Sequence, residues 1–455
     1  MHNLKNKIIT LKTIEKEKKQ KGLFYAIIEG SFASMMTSFG TGYINPYAIN
    51  ALKSEALINS LLTYLPQFLS SLSQLFSGWL SDKFGKRKEI VIICVFLQSV
   101  SWLVLFWATY FIHNTFLLLF IYTLGWVIGY FGNTPWTSWL GSLIPERQKG
   151  RYLGFRNRIL SLAALISSII AGLLLHKLSS MSVFFAFGVL FHLAFICRFL
   201  SYIFLKKQYE PEYQPSNKIE SPVSFRAFFS NNNYLKFIIF HSFLNFFVSF
   251  SSGLFSVFAM RDLKYSYFEF MCLVVTPLFT SLIFFPFWGK LSDKYGSLYT
   301  YKLSALPLFA ITAIWYLSQN FYLIIVSLLI SGFAWSGIMQ SAQSVFYDNV
   351  KEIDRNRVYS TGTMFTGVGM ILGAILGGIL ADYLISISNI ILISTLLRFL
   401  ILPVLFTGFI KEAKPVKKSP SVLLIYSTGI TGFLIDEARI AYKKVFRKKS
   451  KFSGD

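Results

Sequence analysis

The chain is expected to be an all-α membrane protein: twelve transmembrane helices in two six-helix bundles with pseudo-twofold symmetry. Three observations carry that expectation. The 455 residues are 54% hydrophobic and 14% charged, with a mean hydropathy of +0.53. That is more apolar surface than one soluble core can hide, so the solvent is lipid. Apolar stretches of about 20 residues, the length that crosses about 30 Å of hydrocarbon, recur along the chain. Finally, Gly78-Trp-Leu-Ser-Asp-Lys-Phe-Gly85 returns as Gly289-Lys-Leu-Ser-Asp-Lys-Tyr-Gly296. The offset is 211 residues (289 − 78), a period that holds half a membrane protein rather than one unit of a small-repeat solenoid.

Taken in order, the apolar stretches fall at 23–48, 57–80, 89–111, 115–142, 153–175 and 180–204, then at 234–259, 267–291, 300–318, 321–346, 359–384 and 388–410. The chain therefore divides into a basic N-terminal arm (1–22), a first bundle (23–205), a linker (206–233), a second bundle (234–410) and a basic tail (411–455). Pro211, Pro215 and Pro222 stand among charged and amide residues in the linker, the composition of a connection between two bodies. The first apolar run is of spanning length and follows a long charged arm, so it reads as an uncleaved span rather than a secretory signal. In the tail, Ser421 to Ile435 is too short to span and reads either as a surface-lying segment or as disordered chain.

Lys and Arg are retained on the cytoplasmic side of a membrane. They crowd the arm, the loop at Lys83, Lys86, Arg87 and Lys88, the loop from Arg147 to Arg158, the loop at Lys351, Arg355 and Arg357, and the tail, while the alternate loops hold only Lys53, Lys177, Arg261 and Lys264. Both termini are thus expected in the cytoplasm, and a cell membrane is the expected location. The net charge of +23 sits beside membrane spans, which points to anionic lipid headgroups rather than nucleic acid, since no aromatic-and-basic binding module accompanies it. Cys94, Cys197 and Cys272 all fall within spans and suggest neither disulfide nor metal. With no zinc-helix motif, nucleophile elbow or phosphate-binding glycine loop, no enzymatic chemistry and no cofactor is expected. The expected form is a monomer.

The duplicated Gly-x-Leu-Ser-Asp-Lys-x-Gly, followed in its first copy by Lys86-Arg87-Lys88, resembles the loop signature between the second and third helices of the major facilitator superfamily. The resemblance spans nearly the whole chain and implies a secondary transporter, a symporter or antiporter that works by alternating access. Read from the residues alone, Gly78 and Gly289 permit close helix approach and Gly85 and Gly296 a tight turn, while Asp82 and Asp293 place carboxylates at the membrane boundary. The resemblance implies that Asp82 and Arg87 form a latch received by the start of helix 11, near Tyr359 to Thr363. A solvated loop that only sets topology is the plainer alternative. The second copy has Ser297 and Leu298 in place of the cations, so a weaker latch is expected there. A second repeat pairs Glu146, Lys149 and Arg151 with Glu352, Arg355 and Arg357 at an offset of 206 residues (357 − 151). These loops either bridge the halves or merely enforce orientation. Small-residue stripes at Gly369, Gly373 and Gly377 and at Ala164, Ser168 and Gly172 either slide against the other half or pack helices within one half.

Glu29 lies one and a half to two turns inside the first span, where a carboxylate is costly unless partnered or protonated. It is either a proton-coupling or substrate-binding group, or the partner of a cation such as Arg156 or Arg158. The resemblance further implies that helices 1, 4, 7 and 10 line a central cavity, which makes Tyr43, Asn133, Trp136, Trp139, Asn245, Trp335, Gln340 and Gln343 substrate-binding candidates, although each aromatic is equally at home in lipid or core packing. Amides and indoles suit a neutral polar solute such as a sugar and also accept an amphipathic compound. Ile121 stands where many proton-coupled members have Arg, and helix 5 lacks the Gly-Pro element of the drug and proton antiporters. The expected substrate is therefore a small polar metabolite or an exported amphipathic compound, with H+ as the expected coupling ion if any; a membrane sensor or scaffold that kept the fold is the alternative.

Overall fold

The computed structural model describes residues 2–144, 149–211, 225–230, 232–350 and 355–412, and within these the side chains of residues 2–14, 16, 75, 78, 79, 82, 149–151, 225–227, 355–357 and 360 are outside the description. Twelve helical spans follow one another: α1 His2–Phe39, α2 Ala56–Phe84, α3 Arg87–Ile112, α4 Thr115–Leu143, α5 Lys149–Leu178, α6 Val183–Lys207, α7 Asn232–Asp262, α8 Tyr267–Tyr295, α9 Ser297–Ala305 continued as Leu308–Leu317, α10 Phe321–Asn349, α11 Arg355–Tyr383 and α12 Ile387–Phe406. The basic arm is no separate tail but a helical extension of α1, and the expected first span ends in a short helix, Ile44–Asn50, after a turn at Thr41–Tyr43.

Helix ends follow from local chemistry. Asn114, Ser182, Ser266, Asn320 and Ser386 accept backbone N–H groups of the first turns of α4, α6, α8, α10 and α12, satisfying donors that have no partner within the helix. At Ser266 the cap is reciprocal, because Glu269 reaches back to the Ser266 N–H at 2.8 Å. The repeated octapeptide ends α2 and α8 on Gly85 (φ 64°) and Gly296 (φ 101°), conformations that L side chains rarely adopt. Gly289, by contrast, does not serve a close approach here: a Cβ placed on it meets nothing within 4 Å.

The two halves have the same internal packing. In the first, α1 lies against α5 and α6, α2 against α4, and α3 against α4 and α6; in the second, α7 lies against α11 and α12, α8 against α10, and α9 against α10 and α12. Each pairing recurs six helices on, which is the pseudo-twofold relation expressed in contacts. The halves meet through α2 on α11 and α5 on α8, two contacts that the same operation exchanges.

The glycine stripe of α11 seats it on α7 of its own half. A Cβ on Gly369 would stand 2.6 Å from the Ser242 carbonyl oxygen, and Cβ atoms on Gly373 and Gly377 would strike the Phe246 and Phe250 carbonyl oxygens. The equivalent contact in the first half is hydrogen-bonded: Ser38 Oγ donates to the Ala164 carbonyl at 2.9 Å and the Tyr43 hydroxyl to the Ser168 carbonyl at 2.8 Å. Other small residues serve the interface between the halves. Gly172 faces Met271 of α8, and Gly378 faces the Leu57 backbone of α2. Replacing Gly373 by Leu should therefore destabilise the second half by about 1–3 kcal/mol through overpacking, read as a lower melting temperature in detergent, whereas Gly154→Ala, where a Cβ meets nothing within 4 Å, should leave it unchanged.

Candidate functional site

The contacts between the halves are concentrated at one face, the one opposite the Lys83 to Lys88 loop. There both carboxylate oxygens of Asp382, at the end of α11, accept from the first turn of α2: Ala56 N at 2.8 Å and Leu57 N at 2.8 Å. A carboxylate at a helix N-terminus satisfies unpaired N–H groups and lies along the favourable end of the helix dipole. Asn50 Nδ2 donates to the Tyr267 hydroxyl at 2.9 Å, and Tyr64 and Ser252 share a hydroxyl hydrogen bond. The backbone itself closes the gap, since a Cβ on Gly253 would stand 2.8 Å from Ser60 Cα. One apolar cluster joins Tyr43, Tyr47, Leu62 and Phe187 of the first half to Leu254, Val257, Phe258 and Phe270 of the second, and another joins Tyr64 of α2 to Ile371 and Ala374 of α11. Toward the basic face the apolar clusters belong to one half each, around Trp139 and Leu205 in the first and around Tyr301 and Phe346 in the second. Among the described residues, the hydrogen bonds named between the halves lie at the face of Asp382.

Two of the cavities hold residues singled out from the sequence. A seam cavity of about 420 Å³ lies between α2 of the first half and α7, α10 and α11 of the second, with Tyr64, Gln67, His241, Gln343, Tyr359 and Thr363 in its walls. None of its described lining residues carries a full charge at neutral pH. A second cavity, of about 330 Å³, lies inside the first bundle, where α1, α3, α4, α5 and α6 bring Glu29, Gln98, Trp136, Arg156 and Arg198 to one space.

Glu29 is buried (3% exposed) and paired with Arg156, Oε1 to Nη2 at 3.5 Å. Its other oxygen accepts from Ser201 Oγ at 3.3 Å. Arg156 also donates from Nε to the Ala26 carbonyl at 3.2 Å, lies 4.7 Å from the Trp136 ring centre, and has its Nη2 pressed against the bare Cα side of Gly30. The pair thus ties α5 to α1 within the bundle, and Arg158 is exposed.

Of the other residues singled out from the sequence, Asn133 and Trp136 line the same first-bundle cavity and Gln343 lines the seam cavity. Tyr43, Trp139 and Asn245 are buried away from these cavities: the Tyr43 hydroxyl donates to the Ser168 carbonyl while its ring meets Phe270 of the other half, Trp139 Nε1 donates to the Tyr209 carbonyl at 3.0 Å, and Asn245 Nδ2 donates to the His241 carbonyl at 2.8 Å. Trp335 packs half-buried on the core of the second half, and Gln340 is half-buried on the same helix; neither lines these cavities. Arg87 is buried in its own half, 3.5 Å from Glu210 and donating to Ser138 Oγ at 3.2 Å. Asp293 is exposed in the last turn of α8. Gly78 and the side chain of Asp82 lie outside the description, as do residues Glu146 and Glu352 and the side chains of Lys149, Arg151, Arg355 and Arg357.

The structure adds residues that sequence reasoning passed over. Glu210, just after α6, accepts from Lys88 N at 3.3 Å, and Glu412, just after α12, accepts from Leu298 N at 3.2 Å and Tyr299 N at 3.0 Å. Each half therefore caps its third helix with a glutamate that follows its sixth. The Ser297 hydroxyl donates to Glu412 and to Asp348, so the second copy of the loop binds its carboxylates without the cations of the first. Asp382, Arg198 and Arg398 were equally visible as charges within apolar runs. Arg398, buried at 3% exposure, is held by the carbonyls of Val248 and Leu308 and by Ser251 Oγ.

Two six-helix bundles with this exchange symmetry have the arrangement that the repeated loop predicts. The family description that matches is the Major Facilitator Superfamily, over residues 29–266 and again over 238–450, and the chain belongs to that family. Among solved structures, the nucleoside transporter NupG superposes with a TM-score of 0.70 at 13% identity, covering 86% of this chain and 100% of that one. A bacterial homologue of the human lysosomal transporter Spinster, inward-facing and occupied, gives 0.66 at 14% identity over 84% and 95%. A bacterial homologue of the iron transporter ferroportin, inward-facing, gives 0.63 at 13% identity over 87% and 99%. No curated protein matches the chain in sequence.

Two outcomes follow from these geometries. Glu29→Gln leaves Arg156 without its carboxylate and should cost about 3–5 kcal/mol, seen as a lower melting temperature that the double variant Glu29→Gln/Arg156→Gln largely recovers. Asp382→Ala removes the bridge from α11 to α2 and should weaken closure of that face by about 1–2 kcal/mol, seen as faster thiol labelling of a cysteine placed at Ser252.

Proposed function

We propose that the chain is a secondary transporter that moves a small solute by alternating access and that its structure is the inward-open state. The observation that supports this reading is the asymmetry of the interface: two apolar clusters span both halves at and inward from the face of Asp382, while separate clusters and a cavity at the seam lie toward the other. The cations lie at the open face, which by their retention is the cytoplasmic one. Both termini then lie in the cytoplasm, the basic arm and tail meet anionic lipid of the cell membrane, and the protein works as a monomer. The halves 23–205 and 234–410 move as bodies about the linker 206–233.

In this reading Asp82, Arg87 and Asp293 and the charged loops around Glu146 and Glu352 come into contact across the basic face when it closes. The solute enters the seam cavity. Its hydroxyl, amide and imidazole groups offer hydrogen bonds without a fixed charge, and Phe68 and Phe346 offer ring faces, which suits a neutral hydroxylated solute, a sugar or a nucleoside; the nucleoside transporter NupG has the same fold. Coupling to H+ assigns the protonatable role to Glu29.

Purified protein in liposomes tests this. Cysteines replacing Tyr64 and Ser252, whose hydroxyls touch across the halves, should abolish uptake of radiolabelled uridine or glucose when oxidised and restore it when reduced. Gln343→Ala should raise KM about tenfold, the loss of one hydrogen bond worth about 1.4 kcal/mol. Glu29→Gln should abolish accumulation driven by a pH gradient while sparing solute exchange; accumulation that is unchanged leaves Glu29 as the counter-charge of Arg156 alone.

A further inference from the structure

The charges inside the first bundle do not balance. Glu29 contributes one negative charge against the two positive charges of Arg156 and Arg198, and all three line the 330 Å³ cavity. Arg156 holds the carboxylate at 3.5 Å, whereas Arg198, 9% exposed, has no acidic group within ion-pair distance among the described residues. Its one hydrogen bond, Nη1 to Ser201 Oγ, is long at 3.4 Å. A guanidinium in a membrane bundle is expensive without a counter-charge, so the space beside it is suited to an anion.

Two polar atoms of residues that line the same cavity, Arg198 Nε and Gln98 Oε1, have no hydrogen-bond partner, whereas the Trp136 N–H is turned to the Glu29 carboxylate. The first is a donor and the second an acceptor. A buried donor or acceptor left unmade is costly, and a ligand that completes both recovers that cost. Gln98 is 6% exposed and lies against the bare Cα side of Gly129, where any side chain would displace it. Val91, Val95, Leu160 and Leu205 supply an apolar wall, and exposed Thr37 and Asn133 stand at the rim.

We propose that this first-bundle cavity binds a small hydroxycarboxylate monoanion. Its carboxylate accepts from Arg198 Nε, its hydroxyl donates to Gln98 Oε1, and its single charge neutralises the surplus of the cluster. The guanidinium fork matches a carboxylate in plane and spacing. The site is separate from the uncharged seam cavity, and its occupation does not depend on whether the chain transports the solute assigned to that seam.

Equilibrium binding tests it without transport. Titration calorimetry on the full chain in detergent uses lactate and gluconate as probes, with lactamide and sorbitol as their neutral counterparts. Saturable binding of at least one acid and of neither neutral compound is expected. Arg198→Gln should weaken it at least tenfold, the equivalent of one lost charge-assisted contact, and Gln98→Leu should weaken hydroxy acids while sparing propionate. Should Arg198→Gln fail to fold, Arg198→Lys keeps the charge and removes the Nε donor, and it too must lower affinity. Absence of saturable binding by either acid, equal binding of the neutral compounds, or affinity unchanged in the Arg198 variants overturns the proposal.

Discussion

Lipid supplies no hydrophobic drive between helices, because the acyl chains that leave an interface are as apolar as the side chains that enter it. Association then rests on close backbone approach and on a few polar links, and both are sparse here. Within each half they are distributed along whole helices, as in the contact of α7 with the glycines of α11. Between the halves they gather at one end, where Asp382 caps α2 and Gly253 and Gly378 let main chain meet main chain. That unequal distribution makes the halves coherent units and leaves their mutual orientation adjustable.

The ends of each half are secured differently from its middle. Glu210 and Glu412 reach back from the last helix of each bundle to the start of its third. The sequences at the two places differ, with Arg87 on one side and Ser297 on the other, yet a carboxylate meets the free N–H groups of a helix start in both. Duplicated architecture has kept the electrostatic relation while the side chains around it changed.

Much of this was legible in the residues. Apolar length, the repeated octapeptide and the proline-bearing linker located the spans, and Gly85 and Gly296 marked turns that need positive φ. Among the described residues nine spans stand out by length and hydropathy, whereas α2, carrying Asn59, Thr63, Gln67 and Gln74, does not read as strongly apolar. Orientation of side chains was less legible. An amphipathic stripe of water-facing residues has no counterpart in lipid, so periodicity does not reveal which face of a span meets lipid, a cavity or another helix. Trp139 and Asn245 illustrate this: their types suit a binding cavity, but helix rotation turns both inward to backbone carbonyls. Glu29 drew notice because it is a lone acid in the first span, while Arg198, five helices on, completes the same cluster and could be joined to it only in three dimensions.

The seal at the closed face has a bearing on energy conservation. Side chains alone leave crevices that hydrated ions can follow, but Leu57 and Ser60 meet Gly378 and Gly253 across backbone atoms, with aromatic rings filling the surroundings. In the inward-open state proposed above, a barrier of that kind withholds water as well as solute, so the open side does not dissipate the voltage and proton gradient across the membrane.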